Sequence, residues 1–214
     1  MPDYGVLRGG KKSAEEAQQR ISENSEKKHP ADFALWKLNP NIGFESPWGK
    51  GFPGWHIECS AMGIKFLGGQ FDIHTGGIDL IPTHHTNEIA QSECATGKKP
   101  FVRFWMHSEF VDTGGEKMAK SEGNFLKLSS IVEKNINPLA YRFWLLMGHY
   151  RTKMNFNWEA LEGAETALKR LQGLYLDLGE EIGRVSQEYQ GEFKKFIEDD
   201  LDTPKALTLL WDIL

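Results

Sequence analysis

The chain has 214 residues, 40% of them hydrophobic and 26% charged, with a formal net charge of −5; this is the composition of an ordinary globular protein of one domain or one and a half. Only two cysteines occur, Cys59 and Cys94, which excludes a disulfide framework, and no stretch approaches the ~18 continuous apolar residues of a membrane helix. The negative balance means that any nucleic acid must meet a local basic face and not the overall field.

The first thirty residues are rich in Lys, Glu, Gln and Ser, which excludes a signal peptide and points to the cytoplasm. Residues 9–30 carry almost no large apolar side chains and read as poorly packed surface. Phe33, Leu35 and Trp36 then mark where the chain is expected to start burying surface. Residues 39–55 hold three prolines, four glycines and two tryptophans, the pattern of an irregular loop with aromatic anchors. The run WHIECSAMGIKFLG predicts a helix with Ile57, Ala61 and Ile64 on its apolar stripe and Gly68 as its stop. QFDIH and VRFWMHSEFV alternate like short strands, each followed by paired glycines, Gly76–Gly77 and Gly114–Gly115. Strand, helix and strand in that order predict a parallel α/β sheet with its site at the strand ends.

After Asn137–Pro138 the hydrophobic period changes to a helical one. From Asn157, a predicted N-cap, Leu161, Ala164, Leu168, Leu171, Tyr175 and Leu178 recur at spacings of three and four. A second helix holds Tyr189, Phe193, Phe196 and Ile197. A third is predicted to start with Thr203 as cap and Pro204 in its first turn. It reaches Leu214 without a stop signal, so it reads as a cut helix of marginal stability.

Three segments carry chemistry. His84 and Glu88, spaced i and i+4 where a glycine-loosened loop enters a helix, would lie on one face. With Cys59 they make a mixed sulfur, nitrogen and oxygen donor set that suits zinc and not magnesium or calcium, with a fourth position left open. On residue types alone a solvated His–Glu pair and a small core cysteine are the commoner readings. Cys94 reads as buried filler, and His85 as a hydrogen-bonding neighbour of the ligands. In GGEKMAKSEGNF, Lys117 and Lys120 sit three apart on a glycine-flanked loop suited to phosphate, or on a plain solvated turn. Gly76, Gly77 and Asp79 follow a strand, where bare backbone admits a nucleotide and a carboxylate reaches a ribose hydroxyl.

Taken together, GFPGWHIECSAM, FDIHTGGIDLIPTHHTNEIAQSE and EKMAKSEGNF resemble cysteinyl-tRNA synthetase in order and spacing, and the resemblance runs over nearly the whole chain. It implies a class I fold: the second half of a Rossmann-type α/β catalytic domain followed by the start of an α-helical bundle of the anticodon-binding region. Residues 1–45 would end a connective insertion, 46–137 would carry the zinc site and the lysine loop, and 138–214 would lead into the helical region. Cys59, His84 and Glu88 match three of the family's four zinc ligands. Lys120 matches the ATP-contacting lysine of a Lys-Met-Ser-Lys-Ser loop, which here reads Lys117-Met118-Ala119-Lys120-Ser121 and so loses one hydroxyl. Pro82-Thr83-His84-His85-Thr86 departs from Phe-Pro-His-His-Glu with the ligand spacing intact. Trp55 reads either as a wall of the cysteine pocket or as plain core.

The family's fourth zinc ligand, a cysteine, and its His-Ile-Gly-His signature do not occur, so the resemblance implies an internal fragment, inactive alone and weak in zinc affinity. The implied whole protein is a cytoplasmic, monomeric ligase that joins L-cysteine to its tRNA. It would use ATP with Mg2+ and hold one Zn2+ per subunit. Two rivals stay open: a cysteine:aminosugar ligase of the mycothiol type, and a non-catalytic zinc- or tRNA-binding paralog.

Overall fold

The computed structural model describes residues 3–8, 27–29, 31–113, 127–179 and 183–214. The chain divides into two compact units, Met1–His107 and Ser108–Leu214. Lys117 and Lys120 lie outside the described residues.

In the first unit, strands β1 (Trp36–Leu38) and β2 (Gly51–Pro53) form an antiparallel pair with Lys37 opposite Phe52. Gly51 has to be bare, because a Cβ there would stand 2.2 Å from the Lys37 carbonyl oxygen. This corrects the irregular-loop reading of 39–55: proline and glycine hid a short strand whose backbone still pairs. The aromatic anchors are not buried either. Trp48 and Trp55 are 71% and 58% exposed, and Leu35 is 51% exposed.

Helix α1 (Ile57–Leu67) ends at Gly68, whose φ of +94° lies in the region that favours glycine. Its buried residue is Ser60, while Ala61 is exposed. The expected Ile57–Ala61–Ile64 stripe is therefore not the packed face. Small residues make that face, since a Cβ on Gly63 would sit 3.2 Å from Phe71 Cε1. Strand β3 (Phe71–Gly77) pairs with β4 (Val102–Ser108), and helix α2 (Thr86–Thr96) connects them. Gly76 and Gly77 are thus the end of the strand and not a loop after it. The chain enters α2 through a 3-10 turn at Ile78–Leu80 and a π turn at Ile81–His85. It leaves at Gly97, φ +68°, whose N–H donates to the Glu93 carbonyl.

Among the described residues of this unit, the buried apolar side chains are Phe101 and Val102. Against them stand ten buried polar ones, from His56 and Ser60 through His84, His85, Thr86, Asn87, Glu88, Ser92 and Glu93 to His107. Buried polar groups cost free energy unless each finds a partner. An interior so composed is held for its chemistry and not for stability.

The second unit has the opposite character. Strands β5 (Val111–Asp112) and β6 (Met154–Asn155) pair in parallel beside helices α3 (Leu128–Glu133), α4 (Pro138–Leu146), α5 (Trp158–Asp177), α6 (Gln187–Glu198) and α7 (Thr203–Ile213). Ile131, Ile136, Ala140, Phe143, Trp144, Phe156, Leu161 and Ala164 form one apolar core. Asn157 caps α5 as expected, accepting from the Ala160 N–H at 2.7 Å. Leu161 and Ala164 are buried and Leu168 and Leu171 pack against the same core, but Tyr175 and Leu178 are 74% and 65% exposed. The stripe outruns the core. The cap of α7 is Asp202, which accepts from the Lys205 N–H, so Thr203 already lies inside the helix. Helix α4 escaped the sequence reading because Tyr141, Phe143, Trp144, Leu145 and Leu146 are apolar on too many sides to show a stripe. Asn137 caps it through the Leu139 N–H. Among the described residues no helix is long and apolar enough to cross a membrane.

Candidate metal centre

Helix α1 supplies His56, as its N-cap, and Cys59 from the first turn. The π turn supplies His84 and His85, and the first turn of α2 supplies Glu88. Residues 84–88 are all buried, which no helix with a single inward face could achieve. The widened π turn lets the chain wrap its side chains around one spot, and such turns recur at functional sites.

Cys59, His84 and Glu88 each bring a ligand atom within 4.8 Å of the others. Ligands of a tetrahedral zinc stand roughly 3.3–3.8 Å apart, so small side-chain movements close the set. His84 Nε2 lies 2.5 Å from Glu88 Oε1, and His74 Nε2 lies 3.2 Å from Oε2. Neither contact has hydrogen-bond alignment, and both carboxylate oxygens are left without an aligned donor at 0% exposure. A buried carboxylate in that condition calls for a cation. The donor set of thiol, imidazole and carboxylate fits zinc and does not fit magnesium or calcium, which take oxygen.

Residues behind the ligands hold them in place. His56 Nδ1 and His84 Nδ1 are 2.8 Å apart. If His84 offers Nε2 to a metal, its Nδ1 carries the proton and donates to His56, which fixes both tautomers. Trp55 stacks on the His84 ring, centroids 4.8 Å apart and planes 26° apart. On the other side, His85 Nδ1 meets His107 Nε2 at 2.8 Å. Burial raises the Cys59 thiol's pKa, and the charges of Glu88 and Glu58 add to this. Metal binding there must displace the thiol proton. Cys94, expected as buried filler, is exposed, although Ser92 and Glu93 beside it are buried: it lies on the outer face of α2.

Gly76 is bare for a reason internal to the unit. A Cβ on it would lie 2.6 Å from His85 Cε1 and 2.7 Å from Leu80 Cδ1. Asp79 is exposed in the turn that follows β3.

His56, His74 and His107 were not singled out from the sequence. The available signal was density: five of the chain's seven histidines fall between residues 56 and 107. Burial pushes the pKa of His56 down to about 4, with His84 adding to the effect. Burial likewise lowers His85 to about 3, assisted by His74, His107 and His84. Both are neutral in the folded chain at pH 7, whereas the unfolded chain protonates them below about 6.5. The unfolded state therefore binds more protons in that range, and stability rises with pH there. Falling pH from about 6.5 to 4 should destabilise the metal-free chain by about 1.4 kcal/mol per pH unit for each of the two, with His85 continuing toward 3. Urea unfolding in chelator at stepped pH measures this; a flat stability profile across that window would refute it.

Residues 1–166 match the family described as tRNA synthetases class I (C) catalytic domain. The chain belongs to this family. Among curated relatives, a cysteine–tRNA ligase of Burkholderia lata is 44% identical over 99% of this chain and 46% of its own length. One of Thermus thermophilus is 44% identical over all of this chain and 47% of its own length. The chain thus spans about half the length of the curated relatives it matches. Among solved structures, an Agrobacterium radiobacter K84 LeuRS in ternary complex with tRNA and LeuAMS superposes with a TM-score of 0.53 at 16% identity, covering 66% of this chain and 22% of that one. That likeness shows the fold alone, a class I synthetase catalytic domain of mixed helices and strands.

Proposed function

We propose that this chain is part of a cysteine–tRNA ligase and that its first unit reads the thiol of L-cysteine. The observation that carries this is the set of half-buried Cys59 with buried His84 and Glu88, whose carboxylate has no aligned hydrogen-bond donor, in a chain similar to enzymes named for that activity. Serine differs from cysteine by oxygen for sulfur, and pocket shape alone separates such near-isosteres by only ~10²-fold. A zinc ion in this position supplies a bond to thiolate sulfur that a serine hydroxyl does not match.

The chain's own residues do the rest. Cys59, His84 and Glu88 would hold the ion, His56 orients His84, and Trp55, stacked on the His84 ring, would wall the cysteine pocket. Gly76, Gly77 and Asp79, at and just past the end of β3, would receive the nucleotide. Lys120, with Lys117, would neutralise the charge that builds on the triphosphate of ATP, delivered with Mg2+. Residues 138–214 would lead into an anticodon-binding helical bundle that meets the tRNA. The whole ligase would act as a cytoplasmic monomer.

Cobalt in place of zinc makes thiol reading visible. L-cysteine added to the Co2+-loaded chain is expected to strengthen the sulfur-to-metal charge-transfer absorption, and L-serine at the same concentration to leave it unchanged. Equal responses to both amino acids, or none to cysteine, would sink the proposal.

A further inference from the structure

Glu88 has two faces, and the sulfur-containing set uses only one of them. Its Oε1 turns to His84 and its Oε2 to His74. On the second face His74, His85 and Glu88 also bring their ligand atoms within 4.8 Å of one another. The arrangement repeats the first in its supports. As His56 engages Nδ1 of His84, so His107 engages Nδ1 of His85, which leaves Nε2 as the nitrogen each ring would offer a metal. The Cε1–Nε2 edge of His85 packs against the bare position of Gly76, 2.6 and 3.0 Å from where a Cβ would be. The rings of His74 and His85 meet edge to face with centroids 4.8 Å apart. The side chain of His74 is 22% exposed, so an ion can enter from that side.

We propose that Glu88 is shared between two metal positions, one containing the Cys59 thiolate and one made only of His74, His85 and Glu88, and that a single divalent ion can occupy either. Charge argues for one ion at a time. One carboxylate and one thiolate balance one divalent cation, whereas two ions would leave an uncompensated double positive charge in a buried site. Ligand chemistry divides the metals between the two. A soft ion such as Cd2+ is held on the sulfur side, an imidazole-preferring ion such as Ni2+ on the histidine side, and Zn2+ or Co2+ at either. The inference takes its first position from the proposed thiol-reading site but needs no part of the ligase reaction.

Co2+ titration of the full chain, followed by absorbance and equilibrium dialysis with circular dichroism as the check on folding, tests it. The native chain should bind one ion and show sulfur-to-cobalt absorption. Cys59→Ser should lose that absorption yet keep the ion, weakened by about 10- to 100-fold. Adding His74→Ala, or His85→Gln as a second variant, to Cys59→Ser should bring binding down to the level of Glu88→Gln, which removes the shared ligand. His74→Ala alone should keep the sulfur absorption. If Cys59→Ser, still folded, binds no more tightly than Glu88→Gln, the second position does not exist. A native chain that binds cobalt without sulfur absorption, but loses the ion with His74→Ala, would overturn both the thiol-containing position and the sharing of Glu88, and would leave the histidine position alone.

Discussion

His84→Ala is expected to lower the affinity for zinc and for cobalt by about 100-fold, or about 2.7 kcal/mol, the remaining affinity being that of His74, His85 and Glu88. That is at the upper end of what losing a group behind a ligand costs, because His84 would itself be a ligand. It sits at the centre of its surroundings: Nε2 beside Glu88, Nδ1 against His56, one face under Trp55. The substitution would remove the metal's nitrogen donor and strand His56 and the carboxylate at once. Free imidazole should restore part of the affinity by refilling the hole, which a merely structural defect would not permit. His149→Ala, in the second unit, should leave affinity unchanged. Metal dialysis with and without imidazole provides the measurement; a variant that binds zinc like the native chain would remove His84 from the ligand set.

The second large effect concerns stability in the other unit. Leu161 is 0% exposed within the apolar core, on the face where α5 meets Phe143, Trp144 and Phe156. Leu161→Ala should cost about 3–5 kcal/mol, since both the transfer free energy and the cavity left behind count against the fold. Typical domains are stable by only about 5–15 kcal/mol, so the variant should lose much of its resistance to urea. Leu176, on the same helix, is 76% exposed, and Leu176→Ala should stay within about 0.5 kcal/mol of native. Equal midpoints for the two variants would contradict the assigned core.

The helices of the second unit show what local rules can read. The N-cap at Asn157, the three-and-four spacing from Leu161 and the break at Gly68 are consequences of helix geometry, which acts over a few residues. The i, i+4 relation of His84 and Glu88 is equally local, and so was legible. Where the helical rules misled, the competing term was tertiary. Tyr175 and Leu178 continue a stripe past the point where anything is left to pack on. Ala61 lies on the helix stripe but outside the interior, because β3 approaches α1 at Gly63 and α2 approaches it at Ser60, whose hydroxyl donates to Gln91 Oε1.

By itself the sequence determined the cap at Asn157, most of the longer helices and the i, i+4 relation of His84 to Glu88, and it offered Cys59 as their companion. Only the tertiary structure decided that His56 and His107 stand behind the two adjacent histidines, that His74 reaches the far oxygen of Glu88, and that Gly76 is bare to admit His85. These partners lie 28, 22 and 14 positions apart for His56–His84, His85–His107 and His74–Glu88. At such separations no backbone period links one residue to another. Their meeting depends on how α1, α2, β3 and β4 pack, which gathers the imidazoles around one buried carboxylate.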